Sequence, residues 1–212
     1  MNTWQGAQDY EFEWGRKWID DLGPSRESIA EAFKHEFGGP FTDTVLEHVS
    51  TRTLLEIGCG PRPLFLPCKH SIVIEPLLDK YRTYIEGRGW FNIDEPYSQP
   101  VEQIVEPWCG KVDGMVFCRN VLDHTEDPYK ALDAILCYGA VGSYLAFWTD
   151  TWHIKGPDEG HRNITQNPLE IEQRIVDTGY EVLRHANIRA LDGEFKNQDY
   201  IDYGCLARRI HV

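Results

Sequence analysis

The sequence predicts an α/β fold: a doubly wound, mainly parallel sheet of seven strands with a C-terminal antiparallel hairpin and an N-terminal helical cap. Two observations carry this prediction. From residue 53 to about residue 181, short apolar runs alternate with segments of helical periodicity, which is the pattern of parallel strands joined by helices. Two more strand-like runs then follow each other without a helix between them, as the strands of a hairpin do.

The first fifty residues predict helices. Trp14, Trp18 and Leu22 recur every four residues and therefore share one face of a first helix. A second helix is predicted over residues 25–37 and a third over residues 41–50, each preceded by a break that ends in Gly-Pro. Trp4, Trp14 and Trp18 either pack inside this cap or form an aromatic lid over a ligand, and packing is the favoured interpretation.

Seven apolar runs are predicted as strands: residues 53–58, 71–76, 90–93, 113–120, 142–150, 180–188 and 199–210. Helices are predicted after the second, fourth and fifth strands. The last two helices begin at Asp127-Pro128 and Asn167-Pro168, where an N-cap residue precedes a proline in the first turn. Residues 61–70 should contain no full helix, because three prolines fall within this short crossover.

The chain of 212 residues is predicted to form a single domain, with the cap in residues 1–50 and the α/β core in residues 51–212. A net charge of -13 disfavours nucleic acid and anionic membrane surfaces as partners. No apolar run reaches the ~20 residues that span a bilayer. The acidic, aromatic N-terminus does not resemble a leader, so a cytoplasmic location is expected. The oligomeric state stays open.

Six cysteines are present, at positions 59, 68, 109, 118, 137 and 205. Several of them lie in apolar, strand-like runs, which favours reduced and buried thiols over disulfides. No C-x-x-C pair occurs, so a zinc ribbon has no support and no metal site is predicted.

The loop after the first predicted strand is a candidate ligand site. Gly58 and Gly60 follow that strand, and glycine lets a backbone approach a ligand closely. Glu75 ends the second strand, where a carboxylate can accept hydrogen bonds from both hydroxyls of a ribose. The third glycine of G-x-G-x-x-G and the G-K-[ST] of a Walker loop are both absent. These features predict an adenosine-type ligand without a pyrophosphate, although a tight structural turn would also use such glycines.

Three motifs in order carry a family resemblance. "LLEIGCG" resembles motif I of the class I S-adenosylmethionine-dependent methyltransferases, and "IEP" resembles their acidic motif on the second strand. "VDGMVFCRNVLDHTEDPYKAL" resembles their fourth strand and the segment that follows it. The resemblance covers roughly residues 50–150. It implies a Rossmann-like fold, S-adenosyl-L-methionine as cofactor and transfer of a methyl group to a small-molecule acceptor.

The resemblance also implies roles for individual residues. Glu56 would support the methionine amino group, and Glu75 would hold the ribose. The remaining cofactor contacts would come from the loop residues Gly58, Cys59 and Gly60, from Pro76, Val101 and Glu102 around the adenine, and from Arg119 and Asn120 near the methionine end.

The acceptor side is predicted in the loop from Asp150 to Arg162, which follows the fifth strand. His153 and His161 are the candidate catalytic residues, since histidine titrates near neutrality and suits a general base. A polar surface loop and a metal site would also explain this cluster. His124 is a further candidate base, with packing at the start of the next helix as the alternative.

Three classes of function therefore stay open. The first is a methyltransferase that acts on a small molecule. The second is a catalytically silent module that binds S-adenosylmethionine or serves as a scaffold. The third is a nucleotide-sugar or nicotinamide oxidoreductase, which the missing third glycine disfavours.

Overall fold

The computed structural model describes residues 4–22, 39–61, 66–85, 93–153, 167–185 and 200–211. Within these ranges the helices are α1 (Trp4–Leu22), α2 (Gly39–Ser50), α3 (Leu78–Ile85), α4 (Pro128–Cys137) and α5 (Pro168–Asp177). The strands are β1 (Thr53–Ile57), β2 (His70–Ile74), β3 (Glu95–Tyr97), β4 (Met115–Arg119), β5 (Tyr144–His153), β6 (Tyr180–His185) and β7 (Tyr200–Arg209). Short 3₁₀ helices at Glu106–Trp108 and Leu122–His124 lie before and after β4.

The strands form one seven-stranded sheet in the order β3-β2-β1-β4-β5-β7-β6. The first five strands pair in parallel, and β7 runs antiparallel to both β5 and β6. The order reverses at β1, since the chain runs outward to β3 on one side and then returns to β4 on the other. In open α/β sheets a ligand crevice forms at this reversal, outside the carboxyl ends of the strands. The fold thus places a crevice between β1 and β4.

Both faces of the sheet are buried, because successive side chains of a strand point to opposite sides. Leu55 and Ile57 belong to the larger apolar cluster, which includes Ile135 of α4. Leu54, which precedes them and points to the opposite face, belongs to a second cluster that includes Val45 of α2. Helices therefore cover both faces, as the doubly wound pattern predicts.

The helices after the fourth and fifth strands begin where the sequence predicts. The carboxylate of Asp127 accepts a hydrogen bond from the backbone N–H of Lys130 at 3.0 Å. The side chain of Asn167 accepts one from the backbone N–H of Leu169, also at 3.0 Å. Each cap satisfies one of the backbone donors that the first turn of a helix leaves unpaired.

The predicted bounds of two strands are wrong. The third strand lies at Glu95–Tyr97 and not at residues 90–93, of which the structure describes only Ile93, outside any strand. It contains Pro96. In a sequence a proline argues against a strand, but a strand at the edge of the sheet tolerates one. The fifth strand continues past residue 150 to His153, because it pairs with β7 along its whole length.

Two predictions fall partly or wholly outside the described residues. In the crossover over 61–70, residue 61 and residues 66–70 are not helical, and residues 62–65 are not described. The helix predicted over 25–37 lies entirely outside the described residues. Among the helices that the structure does describe, none combines the length and the apolar character needed to cross a bilayer.

Candidate functional site

The loop after β1 depends on two glycines in the left-handed region. Gly58 has a φ of +70° and Gly60 a φ of +56°. A Cβ at Gly58 would lie 2.1 Å from Cγ2 of Val121, whereas a Cβ at Gly60 would meet nothing within 4 Å. The Gly58 N–H donates to the carbonyl of Ile74 at 2.9 Å. Backbone conformation thus favours glycine at both positions, and packing against the segment after β4 is a second requirement at Gly58 alone.

Glu75 joins this loop to the end of β2. Its Oε2 accepts a hydrogen bond from the Gly60 N–H at 3.0 Å, and its Oε1 accepts one from the Leu77 N–H at 2.9 Å. The side chain is buried, and that burial raises the pKa of its carboxyl group. Burial, together with the nearby carboxylates of Glu56 and Glu75, also raises the pKa of the Cys59 thiol. Cys59 therefore presents a neutral thiol to the site.

The connection between β3 and β4 supplies a second wall. Val101 is buried, and Glu102 lies next to it. Oε1 of Glu102 accepts a hydrogen bond from the Glu126 N–H at 3.0 Å. Its Oε2 is buried and has no hydrogen-bond partner among the described residues.

A third wall lies at the carboxyl end of β4. Asn120 has a φ of +51°, a conformation that asparagine tolerates better than most residues, and its N–H donates to the carbonyl of Trp148 at 2.7 Å. The Arg119 guanidinium lies 4.5 Å from the centre of the Trp148 ring. Within the described part of the chain, Oδ1 of Asn120 and Nε1 of Trp148 are buried without a hydrogen-bond partner.

Helix α1 covers the same site. Gln8, Glu11 and Trp14 recur every third residue and line the cavity from one side of this helix. The hydroxyl of Tyr81, in α3, donates to the carbonyl of Glu11 at 3.1 Å, and Lys80 Nζ lies 3.1 Å from Oδ1 of Asp9. These contacts hold α1 against α3 at the mouth of the crevice.

His124 connects α1 to the segment after β4. Its Nδ1 lies 3.5 Å from Oε1 of Glu11, and its Nε2 lies 3.4 Å from Oδ2 of the buried Asp123. Nδ2 of Asn120 also lies 3.4 Å from Nε2. The imidazole is therefore held between two carboxylates while it lines the cavity.

These walls enclose a cavity of about 480 Å³. The structure brings all of the predicted cofactor contacts to its surface: Glu56, Gly58, Cys59, Gly60, Glu75, Pro76, Val101, Glu102, Arg119 and Asn120. A volume of this size suits a ligand as large as a nucleoside derivative. Sequence motifs spread over about 65 residues thus converge on one place.

Helix α1 contributes residues to the cavity that the sequence motifs do not indicate. For Trp14, the favoured interpretation of core packing is wrong: its side chain is 52% exposed and lines the cavity. The side chains of Trp4 and Trp18 lie outside the described part of the structure. The signal in the sequence is the three-residue spacing of Gln8, Glu11 and Trp14. The four-residue repeat of Trp14, Trp18 and Leu22 led to a different prediction, because it assigns Trp14 to a row of apolar side chains that diverges from the row of Gln8 and Glu11 on the same helix.

The structure does not describe the side chains of the two predicted catalytic histidines, His153 and His161. The backbone of His153 lies in β5 and pairs with Tyr200 of β7, so this residue is part of a strand and not of a loop. The side chain of His153 and the whole of His161 lie outside the described residues. Within the described residues, no group of three or more His, Cys, Asp and Glu side chains is arranged to hold a metal ion.

Comparison with known proteins adds evidence on the fold. No family model and no curated protein matches the sequence. The N-methyltransferase NodS from Bradyrhizobium japonicum WM9, solved with S-adenosyl-L-homocysteine, matches with a TM-score of 0.63 and 17% identity over 100% of both chains. The [4+2]-cyclase SpnF matches with a TM-score of 0.61 and 16% identity, over 100% of this chain and 97% of SpnF.

A third similar structure is a SAM-dependent methyltransferase from Aquifex aeolicus, with a TM-score of 0.54 and 15% identity. The match covers 88% of this chain and 100% of that protein. At these identities the comparisons report on the fold, and they agree with the strand order and the antiparallel last strand. The chain therefore has the Rossmann-like fold of the class I S-adenosylmethionine-dependent methyltransferases.

Proposed function

We propose that the protein binds S-adenosylmethionine in this cavity and transfers its methyl group to a small-molecule acceptor. The observation that carries the proposal is the convergence of the ten predicted contacts on one cavity at the reversal of strand order. When bound, the cofactor supplies an electrophilic methyl group. The residues of the chain bind it, orient it and exclude water.

The hydrogen-bonding groups of the cavity fit this cofactor. Each carboxylate oxygen of Glu75 accepts one backbone N–H and keeps a further lone pair, so together they can accept both ribose hydroxyls. The unpaired Oε2 of Glu102 can accept from the adenine amino group. Asn120 Oδ1 and Trp148 Nε1 offer a buried acceptor and a buried donor to the zwitterionic methionine end. Buried polar atoms of this kind normally have partners, which supports a polar ligand at these points.

The charge of the cavity favours a cationic ligand. Four carboxylates line it, those of Glu11, Glu56, Glu75 and Glu102, against the guanidinium of Arg119 and the imidazole of His124. A sulfonium is attracted by such a lining, whereas the pyrophosphate of a dinucleotide is repelled. The acidic lining thus supports the methyltransferase over the oxidoreductase.

The transfer itself is a displacement that depends on alignment, which can supply ~7–11 kcal/mol of the barrier. We assign proton acceptance to His124 if the acceptor must lose a proton, because its imidazole lies at the cavity and is oriented by Glu11 and Asp123. His153 and His161 stay predictions for the acceptor side.

The second candidate is a module that binds S-adenosylmethionine without transferring methyl groups. The similarity to SpnF supports this second candidate, because SpnF has a similar fold and is a [4+2]-cyclase. A shared fold does not establish a shared reaction.

Calorimetric titration tests the cofactor. We expect binding of S-adenosylmethionine and S-adenosylhomocysteine and none of NAD. Glu75→Ala should weaken binding at least about 100-fold, because it removes the acceptors of two hydrogen bonds to a charged group, which contribute ~1.5–3 kcal/mol each. Glu47→Ala, at an exposed position on α2, is the matched control and should leave the affinity unchanged. Absence of binding by the folded parent protein contradicts the proposal.

An acceptor screen separates the two candidates. The release of S-adenosylhomocysteine is measured with panels of small amines, hydroxyl compounds and carboxylates. Turnover with any of them supports the methyltransferase. Tight cofactor binding with no turnover across the panels, together with saturable binding of a compound that is not methylated, supports the silent module.

A further inference from the structure

We propose that Cys109 and Cys137 form a thiol–disulfide exchange site, which an oxidant of the disulfide class such as oxidised glutathione converts into an intramolecular disulfide. Both thiols are free and only partly buried. Their Sγ atoms lie 2.8 Å apart, although the residues are 28 positions apart in the chain. A disulfide bond is about 2.05 Å long, so the sulfur atoms need to approach by less than about 1 Å.

The backbone around the pair is held in place independently of the thiols. The Gly110 N–H donates to the carbonyl of Cys137 at 2.8 Å, and the Val112 N–H donates to the carbonyl of Tyr138 at 3.0 Å. The Ala140 N–H donates to the carbonyl of Val112 at 2.9 Å. The two segments are therefore aligned by main-chain hydrogen bonds right beside the cysteines. A bond between the sulfur atoms would add to an existing contact and would not require the segments to move.

The other four cysteines differ from this pair. Cys118 and Cys205 are buried in the core, so a disulfide oxidant has no access to them. The Cys59 thiol donates to the carbonyl of Gly60 at 3.2 Å, within the loop after β1. Cys68 packs against the cluster on the opposite face of the sheet from the pair. The proximity of Cys109 and Cys137 is thus specific to these two positions.

The chemistry is two successive exchange steps. The Cys109 thiolate attacks one sulfur of oxidised glutathione and releases one glutathione thiolate, which leaves a mixed disulfide at Cys109. The Cys137 thiolate then attacks the Cys109 sulfur and releases the second glutathione. The protons of the two protein thiols end on the two glutathione thiols, and the two electrons lost by the protein reduce glutathione disulfide. The exchange balances equally with the two cysteines in the opposite order, since either thiol can form the mixed disulfide and the other lies within reach of it.

The disulfide would close a loop of the chain that runs from Cys109 to Cys137. This loop contains β4, the 3₁₀ helix at Leu122–His124 and α4. The thiol pair lies at the end of β4 where the chain enters the strand, and the cavity lies at the other end. Oxidation should therefore stabilise the fold and leave ligand affinity unchanged. The proposal is independent of the cofactor assignment.

Mass spectrometry of the whole protein tests the site. The protein is incubated with excess oxidised glutathione or with excess dithiothreitol, denatured, alkylated with N-ethylmaleimide and digested. We expect six alkylated cysteines after reduction, four after oxidation, and one cross-linked peptide pair that contains Cys109 and Cys137. The oxidised protein should melt about 5–15 °C higher than the reduced protein.

Two variants make the test specific. Cys109→Ser should remove both the cross-link and the difference in melting temperature between oxidised and reduced protein. Cys68→Ser, at another partly buried cysteine, should retain both. Six alkylated cysteines after exhaustive oxidation of the parent protein, or a cross-link between any other two cysteines, would overturn the proposal.

Discussion

At the scale of single residues, the two glycines of the loop after β1 make a matched pair. Both need a positive φ, so alanine at either position costs ~1–2 kcal/mol of folding free energy. Only at Gly58 does the new Cβ also collide with Val121, which adds the ~1–3 kcal/mol typical of overpacking. We expect urea denaturation to show a larger loss for Gly58→Ala than for Gly60→Ala. Adding Val121→Ala should remove the extra loss at Gly58. Equal losses for the two single variants, or an extra loss that persists with Val121→Ala, would contradict this explanation.

Glu75 makes a prediction about pH. Burial raises the pKa of its carboxyl group in the folded protein, so folding favours the protonated form. The stability that this preference contributes is complete below the unfolded pKa of about 4.5 and is lost as the pH rises through the raised folded value. Glu75→Gln cannot titrate and escapes that loss. As the pH rises across this window, the unfolding free energy of Glu75→Gln should increase relative to that of the parent protein. A constant difference would refute the linkage.

At the scale of elements, α1 is attached to α3 by contacts that the structure specifies. The Tyr81 hydroxyl donates to the carbonyl of Glu11, and a hydrogen bond of this kind contributes ~0.5–1.5 kcal/mol. Tyr81→Phe should therefore speed amide hydrogen exchange in α1 by about 2- to 10-fold and leave β1 and β4 unchanged. Tyr10→Phe, on an exposed face of the same helix, is the control and should exchange like the parent. Faster exchange throughout the sheet would mean that Tyr81 supports the core and not the attachment of α1.

The start of α4 carries a second prediction at this scale. Asp127→Ala removes the acceptor of the Lys130 N–H and should lower the unfolding free energy by about 1 kcal/mol. Asp127→Asn keeps an acceptor at the same place and should have a much smaller effect. Chemical denaturation of the three proteins measures both differences, and equal losses in the two variants would show that charge and not capping is what matters.

At the scale of the whole molecule, the cavity is built from α1, the loops after β1 and β2, the connection between β3 and β4, and the segment after β4. A ligand that binds there links elements that are distant in the chain and should stabilise the folded state by about 2.7 kcal/mol at a hundred times its dissociation constant. We expect S-adenosylhomocysteine to raise the melting temperature of the parent protein in a concentration-dependent way. Glu75→Ala should need a higher concentration for the same rise. Stabilisation by NAD and not by S-adenosylhomocysteine would contradict the proposed function and favour an oxidoreductase.

The sequence alone determined the order of the elements, and it indicated ten residues that the structure places around one cavity. Apolar runs, N-cap residues such as Asp127 and Asn167, and paired glycines are local signals, and each acts through neighbouring residues. The short third strand could not be placed from such signals, because Pro96 indicates a break in a sequence and is tolerated only because the strand lies at the sheet edge. Whether a strand is central or at an edge is a property of the assembled sheet.

Only the tertiary structure decided which distant residues meet. Glu11 pairs with His124 across more than one hundred positions, and Cys109 meets Cys137 through the alignment of a loop with the end of a helix. No local pattern encodes such contacts, since they depend on how α1 packs over the sheet and how α4 returns along it. For the same reason, Trp14 could be assigned to a helix from its spacing, but its place at the cavity followed only from the direction in which that helix crosses the mouth of the crevice. Periodicity specifies which residues share a face, and packing decides what that face contacts.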